Sequence, residues 1–389
     1  MLGAFAKSPL DVADYRERAR RRLPRLVFDY LEGGADDELT LRANREVLDR
    51  IRLVPRLLND VAQRDQSVTL FGATLPTPLI IAPTGLNALF WRDGDLALAR
   101  AAARAKIPFA LSTASNVTIE QVSEKAGGRL WFQLYVVSRP IADALVDRAL
   151  ACGYSALILT VDVPLSGNRK RDLRNGFSLP FRPTAAAVLD MLRHPRWLAD
   201  MARSGRPELQ NLSSTAAEDP ASQAALLSRQ LDASFGWDDL KRLRDRWPRT
   251  LLVKGILHVD DAVRAIEMGA DSVIVSNHGG RQLDGVPTPL EVLPRLAAAV
   301  DAPLLVDSGF RRGSDIVKAL ALGAKAVLIG RAALYGLAAA GESGVDDVLA
   351  ILKREIDRAL ALVGCPSAAQ LDSDRIDAGS LPGSRLTFG

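Results

Sequence analysis

The chain has 389 residues, 48% hydrophobic and 25% charged, with a net charge of +4 and a pI of about 9.2. That balance allows a large folded core and excludes a globally disordered chain, and basic residues spread evenly along it argue against nucleic acid as a partner. Cys152 and Cys365 have no metal-ligand spacing, so no metal is expected and a reducing, cytoplasmic setting fits; no segment reaches the about 18 apolar residues of a membrane span, and the opening residues hold no signal-peptide core.

Residues 1–77 come first, with a helical segment, "PLDVADYRERARRRLPRLVFDYLEGGADDE", expected to pack on the following domain and cap one of its mouths. From residue 78 onward short apolar runs alternate with longer amphipathic stretches. The runs are "PLIIAPTG" (78–85), "PFALSTAS" (108–115), "LWFQLYV" (130–136) and "ALILTVD" (156–162), then "LLVKGI" (251–256), "SVIVSNHG" (272–279), "PLLVDSG" (303–309) and "AVLIGR" (326–331). Unbroken apolar runs mean strands buried on both faces, the mark of a parallel sheet. Eight strand-plus-helix units imply a single (β/α)8 TIM barrel over 1–389, with 1–77 as a helical extension. An open doubly wound sheet is the alternative, but it needs a switch point, and no GxGxxG turn is present. Residues 163–236 form a long insertion after the fourth strand: "SSTAAEDPASQ" has a disorder-prone composition, and "AAAVLDMLRHPRWLADMARSG" reads as one basic amphipathic segment.

Chemistry in such barrels gathers at the C-terminal ends of the strands. There the runs carry Pro83, Thr84 and Gly85; Ser112 and Thr113; Gln133 and Tyr135; Thr160 and Asp162; Lys254; Ser276, Asn277 and His278; Asp307, Ser308 and Gly309; and Gly330 and Arg331. A scaffold barrel does not require a polar group or a bare backbone at all eight ends, so an enzyme is expected. Of the three histidines, His194 and His258 fit structural roles, whereas His278 shares its strand end with glycines and Arg281. Asp162 either caps a loop or orients that imidazole. Lys254 is a structural ion pair, a Schiff-base amine or a positive charge beside an electron-rich cofactor. The glycine-rich ends "DSGFRRGSD" and "IGRA", with Arg311 and Arg331, are suited to a phosphate, which points to a phosphorylated cofactor lying across the mouth.

"SNHGGRQLDG", with "LTVDVP", "FQLYV", "LVKGI", "DSGFRRG" and "IGR", resembles the FMN-dependent 2-hydroxy acid dehydrogenases and oxidases from about residue 10 to residue 365. "PTGLNALFW", "STASN" and "SRQLDASFGW" look most like the mandelate-oxidising members, while "HPRW" and "GRP" in the insertion look more like the lactate-oxidising ones. The resemblance implies FMN as cofactor, a small (S)-2-hydroxy acid as substrate and a homotetramer. His278 is then the general base that handles the α-hydroxyl or α-hydrogen, and Asp162 is its partner. Arg281 and Arg169 hold the substrate carboxylate, and Tyr30 and Tyr135 reach its carboxylate and hydroxyl. FMN is expected against Pro83, Thr84, Gly85, Ser112, Gln133, Thr160 and Ser276, with Lys254 near the pyrimidine edge. Its ribityl chain and phosphate fall to Asp307, Ser308, Gly309, Arg311, Gly330 and Arg331.

Gly85, where family oxidases commonly carry alanine, is similar to the dehydrogenase pattern and implies a quinone-type acceptor. The segment 178–215, with Val188, Leu189, Met191, Leu192, Trp197, Leu198 and Met201, is either a peripheral contact with the inner face of the cell membrane or a lid or subunit contact. Aromatic 2-hydroxy acids come first as substrates, since Gly85, Leu86 and Phe90 leave an apolar mouth, and lactate-like acids second.

Overall fold

Each of the eight apolar runs supplies one parallel strand, and the strands close on themselves. The computed structural model describes residues 8–177, 184–204, 207–213 and 231–381. Its barrel strands are β1 (Leu79–Ile81), β2 (Pro108–Ser112), β3 (Arg129–Leu134), β4 (Ala156–Thr160), β5 (Thr250–Ile256), β6 (Ser272–Val275), β7 (Leu304–Val306) and β8 (Ala324–Ile329). They pair in chain order, and β8 returns to β1 through Val327–Ile329 against Leu79–Ile81. Every residue of β1, β2, β4, β6 and β7 is buried, because side chains point alternately into the barrel and into the surrounding helices. Strands β1, β6, β7 and β8 end before the polar residues of their runs, which therefore sit on loops leaving the C-terminal mouth, whereas Ser112, Gln133, Thr160 and Lys254 are held in the ladder itself.

The opposite mouth is covered by an antiparallel hairpin, Val68–Leu70 with Ala73–Leu75. Its turn residues Phe71 and Gly72 both have positive φ, and the Phe71 ring lies 6.0 Å from that of Trp131 on β3. The N-terminal segment folds as α1 (Val12–Arg22), α2 (Arg25–Glu32) and α3 (Leu39–Arg50). The break between α1 and α2 falls at Leu23–Pro24, since proline lacks the N–H a continuous helix needs but suits the position just ahead of a new one. Helix α1 buries Val12, Tyr15 and Ala19 and packs along the C-terminal helix Arg331–Leu362. Helix α2 lies at the C-terminal mouth.

The insertion departs from the single amphipathic segment expected of it. It forms separate helices, Ala185–Leu192 and Pro195–Ser204, divided by a turn at Arg193–His194 where Pro195 begins the second. Met191 and Trp197 face inward and are buried; Leu198 and Met201 pack on the core, and the Trp197 Nε1 donates to the Leu89 carbonyl at 2.8 Å. Only Val188, Leu189 and Leu192 of the expected apolar face are exposed. An ion pair between Arg22 and Asp200, and the Arg25 N–H donating to Asp190 at 2.7 Å, fasten these helices to α1 and α2. Residues 178–183, 205–206 and 214–230, including nearly all of the disorder-prone stretch, lie outside the described residues.

Candidate active site

A cavity of about 290 Å³ opens at the C-terminal mouth, where strand-end loops, α2 and the insertion meet. Arg169, Lys254, Arg281, Arg311 and Arg331 line it, against one carboxylate among the described residues, Asp307. Such an excess of positive charge in an enclosed space favours an anionic ligand.

On one side stands a hydrogen-bonded relay. His278 Nδ1 lies 2.9 Å from Asp162 Oδ1, and Nε2 lies 3.1 Å from the Tyr135 hydroxyl. With the carboxylate accepting from Nδ1–H, Nε2 keeps its lone pair, and the phenol donates to it. Burial alone raises the Asp162 carboxyl, but the charges of His278 and Lys254 outweigh it and hold the group below the usual carboxylate range. Asp162 Oδ2 is buried without a partner. Burial and the Asp162 charge drive Tyr135 the other way, well above an ordinary phenol, so it stays protonated. The His278 backbone is left-handed, with φ of 58°, at a cost on the order of 1–2 kcal/mol for a non-glycine residue.

Facing the relay, Arg281 and Arg169 stack over the Tyr30 ring, 5.1 and 5.6 Å from its centroid. Arg281 Nη1 donates to the carbonyls of Tyr30 (3.0 Å) and Gly33 (2.7 Å), which pins the guanidinium to the end of α2. Burial, with the Arg169 charge beside it, lowers the Arg281 pKa from its ordinary value. Asp172, whose Oδ1 is buried and unpaired, lies 3.6 Å from Arg169.

At the other end, Lys254 is buried, donates to Ser276 Oγ at 2.9 Å and lies 3.3 Å from Asp307. Burial lowers its pKa, but Asp307 and Asp162 more than offset this and leave it raised, so it is charged. The backbone at Ser308 and Gly309 is left-handed and borders the cavity with Arg311. The helix Arg331–Leu362 starts there at Gly330 with no side-chain cap, and a Cβ on Gly330 would meet nothing nearer than 3.9 Å. Uncapped N–H groups at a helix start suit a phosphate. Arg331 is pulled down to about 10, by burial first and then by Arg281. Its guanidinium donates to the carbonyls of Leu31, Gly33 and Gly279, so it also ties α2 to the His278 loop.

Most sequence-selected residues share this wall, including Pro83, Thr84, Gly85 and Ser112. Thr84 Oγ1 is buried with no partner. Asp162, Gln133, Thr160 and Ser276 sit one layer behind. Gln133 accepts from Ser112 Oγ at 2.9 Å and donates to Thr160 Oγ1 at 3.0 Å, and Ser276 Oγ takes the His278 N–H at 3.0 Å. His258 caps the helix Val259–Glu267 and His194 bonds the Arg22 carbonyl, both structural roles. The sequence did not single out Phe177, stacked on Tyr30 at 4.4 Å, nor Leu209 and Leu231, which complete an apolar wall with Phe90. All three come from the insertion, where no strand end marks position. Among the described residues no group of His, Cys, Asp and Glu is arranged to hold a metal ion.

Residues 19–378 match the family model described as FMN-dependent dehydrogenase. The chain is 55% identical to (S)-mandelate dehydrogenase of Pseudomonas putida over 370 residues, 95% of this chain and 94% of that one. It is 42% identical to an L-lactate oxidase of a Nostoc species, over 94% of this chain and 97% of that protein. The crystal structure of the monotopic membrane protein (S)-mandelate dehydrogenase superposes with a TM-score of 0.93 at 54% identity, covering 95% of this chain and 100% of the other.

Proposed function

The chain belongs to the FMN-dependent dehydrogenases, and from that premise we propose that it oxidises (S)-2-hydroxy acids, mandelate-like ones in preference, and hands the electrons to a quinone-type acceptor. The observation that carries this is the Asp162–His278–Tyr135 relay facing two arginines across one cation-rich cavity. The residues fit the cofactor. An uncapped helix start at Gly330 and the turn at Ser308–Gly309 with Arg311 suit its phosphate, and the unpartnered Thr84 hydroxyl and the Pro83–Gly85 backbone suit its ring. Lys254 supplies a fixed positive charge for the ring's electron-rich edge.

FMN, when bound, would accept the α-hydrogen together with the two electrons released when the α-carbon is oxidised. The side chains do the rest. Arg281 and Arg169 clamp the substrate carboxylate, since a guanidinium fork matches it with paired hydrogen bonds. With the acid so held, its hydroxyl takes the place of the Tyr135 phenol at Nε2, and His278 accepts a proton there. Asp162, held ionised, stabilises the imidazolium that results, and Tyr135 and Tyr30 bond the substrate oxygens. Phe90, Phe177, Leu209 and Leu231 offer an aryl group an apolar surface, which favours mandelate over lactate. A panel of (S)-mandelate, L-lactate and glycolate with an artificial dye acceptor is expected to give the highest kcat/KM with mandelate; equal or better turnover of lactate contradicts the preference. Hydrogen peroxide formed under air is expected to be a small fraction of the turnover with a quinone analogue, and a stoichiometric yield contradicts the acceptor.

We also propose that the insertion rests on an anionic membrane surface. No helix among the described residues is long and apolar enough to cross a membrane. Instead Val188, Leu189 and Leu192 are exposed together, with Arg193, Arg196 and Arg203 exposed nearby, the pattern of an interfacial helix. Replacing Leu189 and Leu192 by serine is expected to weaken co-sedimentation with anionic vesicles by at least about tenfold, from the apolar area lost, while dye-linked turnover is unchanged. Undiminished co-sedimentation contradicts the contact.

A further inference from the structure

Helix α3 contributes nothing to the cavity wall, yet it grips the loop that carries His278. Asn44, on α3, is buried and forms a reciprocal amide pair with Asn277. Asn44 Nδ2 donates to Asn277 Oδ1 at 2.9 Å, and Asn277 Nδ2 donates to Asn44 Oδ1 at 2.8 Å. Asn277 Oδ1 also accepts the Gly280 N–H at 3.2 Å, so the amide closes over the two residues between them, His278 and Gly279. His278, Gly279 and Gly280 have φ of 58°, 65° and 73°, three consecutive left-handed residues. Glycine adopts that conformation freely; histidine stays in it only where its surroundings over-determine it.

From this arrangement we infer that Asn44 is a positioning residue: through Asn277 it holds the His278 backbone in the left-handed conformation that aims the imidazole at Asp162 and the substrate. The inference rests on His278 being the base proposed above. Its reach extends to the phosphate end of the cavity. The turn at Gly309 lies against α3 so closely that a Cβ there would stand 2.6 Å from the Asn44 carbonyl oxygen. The next residue, Arg45, donates to the Gly309 carbonyl at 2.7 Å and to Asp315 at 2.6 Å. Two successive residues of α3 thus keep the base loop and the glycine turn in fixed relation. Removing Asn44 takes the shortest bond from each atom of the Asn277 amide and leaves Oδ1 with the Gly280 N–H alone, at 3.2 Å, and Nδ2 with the Pro287 carbonyl alone, at 3.4 Å.

Three holoenzyme variants test this, beside His278→Gln. Asn44→Ala removes the amide. Asn44→Asp keeps its shape but, ionised, cannot donate to Asn277, and being nearly isosteric it decides the matter if the alanine variant does not fold. Thr40→Val is the control: Thr40 is buried on the same helix, but its hydroxyl accepts from the Gly285 N–H at 2.8 Å. Both Asn44 variants are expected to lose about 10²-fold in kcat while KM and FMN content stay within about threefold, the split expected of a misplaced base. Their α-deuterium isotope effect on kcat is expected to be at least that of the wild type, because bond cleavage then limits turnover. Thr40→Val is expected to lower thermal stability and keep kcat within about threefold. Asn44 variants with near-wild-type kcat beside an inactive His278→Gln overturn the inference, as does a Thr40→Val that loses as much kcat as they do. An active His278→Gln overturns the base assignment instead.

Discussion

His278→Gln is expected to keep its FMN and lose about 10⁴-fold in turnover, the upper end of what a positioned general base contributes. Glutamine can still donate to Asp162, but its amide has no basic lone pair to take a proton. The contacts proposed for the cofactor lie elsewhere, at Lys254, the Ser308–Gly309 turn and Gly330, so the flavin spectrum should persist. Asp162 is held below the ordinary carboxylate range, so it stays ionised as the pH falls to that range. Loss of its charge is therefore not expected to limit activity until the medium is more acidic than an ordinary carboxylate requires. His278→Gln turning over within a few fold of wild type contradicts the assignment.

Lys254→Met is expected to lose both stability and activity, and the two losses should separate. Lys254 and Asp307 are a buried pair, their side chains 5% and 11% exposed and 3.3 Å apart. Breaking such a pair costs about 3–5 kcal/mol, because the remaining carboxylate is left uncompensated. The single variant should melt at lower temperature and purify with little FMN. Adding Asp307→Asn removes the stranded charge and still offers a hydrogen bond to a ribityl hydroxyl, so Lys254→Met/Asp307→Asn should regain most of the stability. Turnover should not return, since the positive charge proposed to stand beside the flavin is still missing. Recovery of turnover in the double variant would reduce Lys254 to a structural ion-pair partner, one of the roles its strand-end position leaves open.

The barrel was legible because parallel strands buried on both faces cannot alternate: "PFALS" and "ALILT" carry no polar face, and each is followed by a helical period. The polar strand ends were legible for a related reason, since a hydrogen-bonding group ending an apolar run has only the mouth to point into. What escaped was whatever depends on contacts distant in sequence. Asn44 looks like any polar residue in an amphipathic helix, and only the fold brings it against Asn277, 233 positions away. Asp172 and Phe177 belong to the insertion, where no period marks an inward face. The insertion also shows how periodicity misleads. Its apolar residues read as one amphipathic segment, but Met191 on the first helix is buried, and the Pro195 break lets the second helix fold back on α1 and the Leu89 loop and bury Trp197.

The most direct measurement is an anaerobic titration of the purified holoenzyme with (S)-mandelate, read as the loss of flavin absorbance and compared with (R)-mandelate and with the His278→Gln variant. Complete bleaching by one equivalent of the (S)-acid, with one equivalent of 2-oxo acid formed and no bleaching in the other two samples, is the result predicted. A flavin that stays oxidised with every 2-hydroxy acid tried, or one that His278→Gln reduces as readily as wild type, contradicts the account.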